Sequence, residues 1–265
     1  MEINLEMLKV IRFLRRQIKS MNSQILEVTN NYSLASCLEV NDIVKDSIDT
    51  PILPILNNTD CLINSDILGF ELGIGCRFNC TFCNYELRNA RTTTLLNSKD
   101  LSKYLEYCYQ QFGITNFYAA DDTINESDEK LIILAEAVEQ LSFKPNISCF
   151  ARLDMLSARP QQMDLLERIQ FLSIFFGIES FNTDASKQVR KRSGIGDVYA
   201  TLEELKQRCP NTFTVGGLII GLNGDSKESI INSTKLVIEK QLLDAIQVYP
   251  LSITRSSSLL SLIHI

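Results

Sequence analysis

Phe171-Leu172-Ser173-Ile174-Phe175-Phe176-Gly177-Ile178-Glu179-Ser180 is the stretch that decides the fold of this 265-residue chain. Residues 171–178 form an apolar run, as a strand covered on both faces would. Helical spacing precedes it at 161–169 and follows it at 197–208. The same alternation extends both ways. Strand patterns stand at 66–74, 116–120, 146–150, 212–221 and 245–250, and helical patterns at 99–112, 126–141 and 226–240. Six strands with five intervening helices predict an α/β fold with a parallel sheet and right-handed crossovers. Doubly wound and barrel folds both fit that order. Gly75, Asp121, Arg152, Glu179 and Gly221 sit just after strands. Sites in parallel α/β folds form at the carboxyl ends of strands, so these residues should share one rim.

The composition is that of an ordinary globular domain, 45% hydrophobic and 22% charged. A net charge of −6 supplies no overall basic field for nucleic acid or anionic membrane. No apolar run approaches the ~20 residues of a membrane span. Nothing at the start reads as a secretory signal. Residues 1–26 instead alternate Lys9, Arg12, Arg15, Arg16 and Lys19 with Leu5, Leu8, Ile11, Leu14 and Ile18, the pattern of a charged amphipathic helix. Three of the eight cysteines crowd into 76–83, which points to a reducing, cytoplasmic compartment and a metal site rather than to disulfides.

That crowded segment is Gly75-Cys76-Arg77-Phe78-Asn79-Cys80-Thr81-Phe82-Cys83, with C-x3-C-x2-C spacing. Three thiolates can hold three irons of a cubane and leave the fourth without a protein ligand, whereas a four-cysteine site ligates every iron. Structural zinc wants four ligands, usually as two pairs. No second pair stands in the sequence, so zinc would need Cys61 or a carboxylate to complete it. Arg77, Asn79 and Thr81 make the segment loop-like, unlike a chance group of core cysteines.

A C-x3-C-x-Φ-C motif with Phe82 as its aromatic residue, placed between a strand and a helix, resembles the radical SAM superfamily. The resemblance runs from about Asp66 to about Leu251. It implies a partial (βα)6 barrel of TIM type. It implies a [4Fe–4S] cluster on Cys76, Cys80 and Cys83, with S-adenosylmethionine (SAM) chelated on the open iron. The expected chemistry is reductive cleavage of SAM to a 5′-deoxyadenosyl radical that abstracts hydrogen from a substrate. An electron donor such as flavodoxin or ferredoxin is the expected partner, with no membrane or nucleic acid. Asp121 or Asp122, in Ala119-Ala120-Asp121-Asp122-Thr123, stands where the family receives the SAM amino group, although the family's glycines are missing; Asp122 or Asn125 could equally cap a helix. Arg152 could pair with the SAM carboxylate, or with Asp154. Gly177-Ile178-Glu179-Ser180 resembles a family segment in which Glu179 would bind the ribose. The basic residues Lys187, Arg190, Lys191 and Arg192 downstream also read as a solvated face. The segment from Gly217 through Gly221 to Ser229 resembles the one near the adenine, with Asn223 in place of the usual proline; Asp225 or Ser226 also reads as a helix cap.

Within the superfamily the segments look closest to the cobalamin-binding-domain type, with methylthiotransferases nearby, so methyl or methylthio transfer is an expected reaction class. Residues 1–65 read as a helix and linker, a remnant of a preceding domain, and cobalamin is expected only where such a domain exists. Residues 66–255 read as the radical SAM core, cut short after the sixth strand. The last six residues, Leu260-Ser261-Leu262-Ile263-His264-Ile265, resemble the translation of a transposase-end sequencing adapter. Residues 256–265 are therefore expected to be an artefactual tail, and His264 receives no role. Tyr85, Glu86, Arg88 and Arg91 read either as substrate-side residues or as helix surface. The competing function class is a non-catalytic module holding zinc or a degenerate cluster.

Overall fold

The structure, a computed structural model, describes residues 53, 54, 56, 60–84, 94–191 and 195–253, all inside one compact unit spanning Asp49–Ile265. The helix expected over 1–26, most of the 1–65 segment, Arg192, the residues Tyr85, Glu86, Arg88 and Arg91, and the 256–265 tail lie outside the described residues.

Six strands form one sheet: β1 (Ile67–Phe70), β2 (Asn116–Ala119), β3 (Asn146–Arg152), β4 (Ser173–Glu179), β5 (Phe213–Ile220) and β6 (Ala245–Pro250). All five neighbouring pairs are parallel, and the strands lie side by side in chain order. A doubly wound sheet reverses its strand order at a switch point. Strictly sequential order winds one way throughout and curls toward a barrel, here left open with β1 and β6 as its edges.

The expected helices appear as α1 (Ser98–Phe112), α2 (Asp128–Glu139), α4 (Gln162–Ile169), α6 (Ile195–Arg208) and α7 (Lys227–Glu239). Two short ones were not expected, α3 (Leu153–Ala158) and α5 (Thr183–Gln188). Each has six residues, fewer than two turns, so no 3.6-residue period can show in the sequence. Capping follows local chemistry. Asn97 accepts from Asp100 N at the start of α1, Ser127 from Lys130 N at α2, and Ser226 exchanges hydrogen bonds with Ser229 at α7. Ser226 is thus the cap read from the sequence, whereas neither Asp122 nor Asn125 caps α2.

Alternation along the strands sorts side chains into two layers. Phe117, Ala119, Ile147, Cys149, Ala151, Ile174, Phe176 and Ile178 are buried under the helices. There they meet Leu101 and Leu105 of α1, Leu131 and Leu134 of α2, Leu166 of α4 and Leu202 of α6 in one continuous core. Each fully buried Leu or Phe contributes roughly 1.5–3 kcal/mol relative to exposure. Leu53, Leu56 and Leu62, read as linker, pack against this same core.

The opposite face of each strand points into the barrel. At its lower end Asn146 Nδ2 donates to Asn116 Oδ1 (3.1 Å) and Ser173 Oγ to Ser148 Oγ (2.7 Å). Above them Tyr118, Phe150 and Phe175 meet edge to face, with centroids 6.1 and 5.0 Å apart. Gly217 on β5 belongs to this layer, since a Cβ there would stand 2.7 Å from the Phe175 ring. Beyond the aromatic layer the barrel opens at the strands' carboxyl ends.

Candidate active site

At that end lies a cavity of about 480 Å³, within the usual range for small-molecule sites. Cys76, Cys80, Phe82 and Cys83 line it. Asp122, Arg152, Gly177, Glu179 and Lys191 line it as well, and Phe150 and Phe175 lie at the base. Of the residues expected at the site, the structure brings Phe82, Asp122, Arg152 and Glu179 to the cavity together with the three cysteines. It does not bring Asp121, Ser180 or Gly221 to the wall.

The cysteine loop leaves β1 and is held from three strand ends. After β2, Glu126 Oε2 accepts from Arg77 N (3.2 Å), and Arg77 Nη1 donates to Glu126 O (3.1 Å). Thr123 Oγ1 lies 3.9 Å from Cys76 Sγ. After β3, Arg152 reaches Cys80. After β4, Gln188 O accepts from Thr81 Oγ1 (3.0 Å), and Arg190 Nη1 donates to Asn79 O (3.2 Å). Burial raises the Cys76 thiol above its ordinary value; Glu126 and Asp122 add to this, while the Phe78 amide and Thr123 oppose it.

The adjacent acids divide their roles. Asp122 is exposed on the cavity. Asp121 is 2% exposed and turned inward: its carboxylate accepts from Leu72 N (2.8 Å), Gly73 N (3.2 Å) and Lys130 Nζ (2.6 Å). Asp121 therefore fastens the end of β1 to β2. Lys130, itself 1% exposed, also meets Glu126 Oε1 at 2.7 Å. Burial alone would lower the Lys130 ammonium, but Asp121 and Glu126 outweigh it and raise its pKa.

Arg152 forms the side-chain pair with Asp154 that was one of its two readings, with Nε–Oδ1 at 2.9 Å and Nη2–Oδ2 at 2.6 Å. This fills one of the two edges at which a guanidinium takes a carboxylate in two-pronged fashion; at the other, Nη1 faces Cys80 Sγ and Nη2 faces Arg190 O. Asn125, one of the two residues read as an alternative cap, instead brackets the Arg152 backbone: Oδ1 accepts from its N–H (2.8 Å) and Nδ2 donates to its carbonyl (2.9 Å).

A register shift between Gly177 and Glu179 interrupts the β4–β5 ladder, and Glu179 takes φ +66°. A non-glycine residue there costs roughly 1–3 kcal/mol, the kind of strain that collects at functional sites. Lys191 steadies it: its Nζ lies 3.3 Å from Glu179 Oε1 and donates to Gly177 O (3.0 Å). Of the basic residues downstream, Lys191 is thus buried and paired, Arg190 holds the cysteine loop, and Lys187 stays on the surface beside Asp184.

Ser180 ties two loops together, donating to Asp225 Oδ1 (2.9 Å) and accepting from Asn182 N (2.9 Å). Burial raises the Asp225 carboxyl, against the Ser180 hydroxyl. Gly221 turns the chain after β5 at φ +101°, a conformation that side-chain-bearing residues rarely adopt. Phe82 packs on Ala185, Val189 and Leu222 below the loops.

Thr123, Asn125 and Lys130 escaped the sequence reading as site residues, whereas Lys191 was among the basic residues it named downstream of Glu179. Thr123 and Asn125 act across the fold on partners 47 and 27 residues away, whereas Lys130 pairs within nine residues, with Glu126 and Asp121.

The profile of the Radical SAM superfamily matches residues 70–237, well over half of the chain. Among curated proteins, hopanoid C-2 methylase of Rhodopseudomonas palustris (strain TIE-1) is 24% identical over 192 residues, covering 70% of this chain and 36% of that protein. The chain thus spans about a third of the length of this relative. Among solved structures, the radical SAM methyltransferase TsrM of Kitasatospora setae, with cobalamin and a [4Fe–4S] cluster bound, superposes with a TM-score of 0.56 at 12% identity, over 72% of this chain and 35% of that one. Escherichia coli coproporphyrinogen III oxidase (HemN), a radical SAM enzyme, gives 0.51 at 18% identity, over 74% and 51%. The open parallel barrel, the three cysteines on its carboxyl rim and the profile match agree: the chain belongs to the radical SAM superfamily.

Proposed function

We propose that Cys76, Cys80 and Cys83 hold a [4Fe–4S] cluster with one iron free of protein ligands, and that SAM occupies the adjoining cavity. Membership of the superfamily implies both cofactors. The observation that carries the assignment to these residues is that three cysteines of one loop line a cavity that Asp122 and Glu179 also line. The donor set fits a cubane. Cys108, Cys149 and Cys209 are buried in the helix-facing core and Cys61 is exposed, so the loop supplies three thiols and no described cysteine beside them supplies a fourth. Among the described residues no three His, Cys, Asp or Glu side chains converge on a single ion. A cubane needs no such convergence, because it spreads three thiolates over three irons.

When bound, the pair supplies one-electron cleavage of the SAM sulfonium and a 5′-deoxyadenosyl radical. The protein's own residues position and shield. Asp122 offers a carboxylate to the SAM ammonium. Glu179, braced by Lys191, offers its remaining oxygen to the ribose hydroxyls. Phe82, Phe150 and Phe175 supply apolar walls that limit water at the reacting carbon. Ser180 and Gly221 shape the adjoining loops, and Asp121 fixes the loop's origin.

The curated relative is a methylase, and methyl transfer is the reaction class we assign. A flavodoxin- or ferredoxin-type protein is the assigned electron donor. We assign a reducing, cytoplasmic setting, in keeping with the buried free thiols of Cys108, Cys149 and Cys209. No described helix is long and apolar enough to cross a membrane. The described residues build one α/β sheet, and we assign none of them to cobalamin.

Anaerobic iron–sulfur reconstitution tests the proposal. Absorption near ~400 nm with about four irons per chain is expected, as is 5′-deoxyadenosine release with SAM and a reductant. Cys80→Ala is expected to abolish both. Tightly held zinc with no iron uptake would replace the proposal with the non-catalytic module.

A further inference from the structure

Arg152 sits at the carboxyl end of β3, 5% exposed, with most of its hydrogen-bonding capacity committed. A guanidinium has five N–H donors in a rigid plane. Two go to Asp154, and Nη2 also reaches Arg190 O at 3.3 Å. Nη1 points at Cys80 Sγ, 3.1 Å away. The face of the group lies over the Phe78 ring, 4.0 Å from its centroid, inside the same cysteine loop. Asn125 pins the backbone of Arg152 on both sides. The side chain is therefore locked in place with one N–H aimed at a sulfur.

We propose that Arg152 sets the reduction potential of the cluster by donating a charge-assisted hydrogen bond to the Cys80 thiolate. This rests on the reading of Cys76, Cys80 and Cys83 as cluster ligands. Reduction adds one negative charge to the cluster, shared with its sulfurs. A cationic donor held against one sulfur favours the reduced form and raises the potential; hydrogen bonds to sulfur and local charge are among the terms that spread such potentials. Burial strengthens the effect by excluding water. Asp154 positions the guanidinium by gripping its far edge. Arg152 is a positioning residue that acts on the redox step through Cys80.

The test is an EPR-monitored redox titration of the reconstituted full chain without SAM, comparing wild type with Arg152→Gln/Asp154→Asn. The double change removes cation and anion together, so no carboxylate loses its partner. The variant is expected to keep its iron and to be about tenfold harder to reduce, a fall in midpoint of about 59 mV for one electron. An unchanged or raised midpoint overturns the proposal. If the double variant takes up no iron, Arg152→Lys decides: a midpoint below wild type supports the role, and one equal or above overturns it. Failure of the wild-type chain to hold iron overturns the cluster reading itself, and is thereby distinguished from failure of the role given to Arg152.

Discussion

Replacing Lys130 with Met should unfasten the cysteine loop from beneath. The ammonium lies 2.6 Å from Asp121 Oδ1 and 2.7 Å from Glu126 Oε1, with side-chain exposures of 1%, 0% and 5% for the three residues. Met fills similar space without charge, so two carboxylates stay buried without their cation. Breaking a buried pair from one side costs about 3–5 kcal/mol. The backbone donors Leu72 N, Gly73 N and Arg77 N still serve the two acids, which keeps the expected loss within that range rather than beyond it. With a conversion of roughly 2–4 °C per kcal/mol for a domain this size, the melting temperature should fall by roughly 6–20 °C. Urea unfolding of the apo chain followed by far-ultraviolet circular dichroism measures the loss. Amide hydrogen exchange adds the location: Leu72, Gly73 and Arg77 should lose protection before the strand cores do. Adding Asp121→Asn and Glu126→Gln to Lys130→Met should recover more than half of the lost stability. A loss below about 1 kcal/mol, the scale of an exposed pair, would refute the reasoning that this ammonium holds the two acids.

Asp244→Asn should cost about 1.5–3 kcal/mol at neutral pH, because its carboxylate accepts from Lys206 Nζ (2.6 Å) and from Thr214 N (2.7 Å) and Oγ1 (2.8 Å). Burial would raise this carboxyl, but those donors outweigh it and hold it below its ordinary value. The stabilisation is therefore present above the unfolded value near ~3.9 and lost as pH falls through the lowered one, so melting curves of wild type and variant should converge only in that acid range. Gly217→Val should force the Phe175 ring into the cavity, given the 2.7 Å approach that a Cβ would make; SAM affinity by equilibrium dialysis should fall at least tenfold while iron content stays at the wild-type level, and unchanged affinity would count against the cavity as the SAM site. Glu179→Gln should weaken SAM binding without loss of iron, as read by the same dialysis and by iron assay.

The sheet was legible because its signal is local. The apolar run 171–178 and the spacing of 226–240 each report their own element, and β4 and α7 fall within two residues of those bounds. The cysteine triplet was legible because one loop carries all three thiols at C-x3-C-x2-C spacing. The division between Asp121 and Asp122 was not, since neighbouring residues at a strand end face opposite ways and a one-residue shift exchanges them. The two-sided grip on Arg152 was equally hidden. Asp154 was visible as a partner two residues away, but Asn125 is 27 residues distant and Cys80 is 72. The strained backbone of Glu179 arises from a register shift against β5, which no property of the Gly177–Ser180 segment encodes alone.

The most direct measurement is Mössbauer spectroscopy of the chain reconstituted with ⁵⁷Fe, with and without SAM. About one iron in four should form a distinct site whose parameters change when SAM binds, and that change should be weakened in Glu179→Gln. Four equivalent irons indifferent to SAM, or zinc in place of iron, would contradict a cluster held by Cys76, Cys80 and Cys83 with its fourth iron open to the cavity.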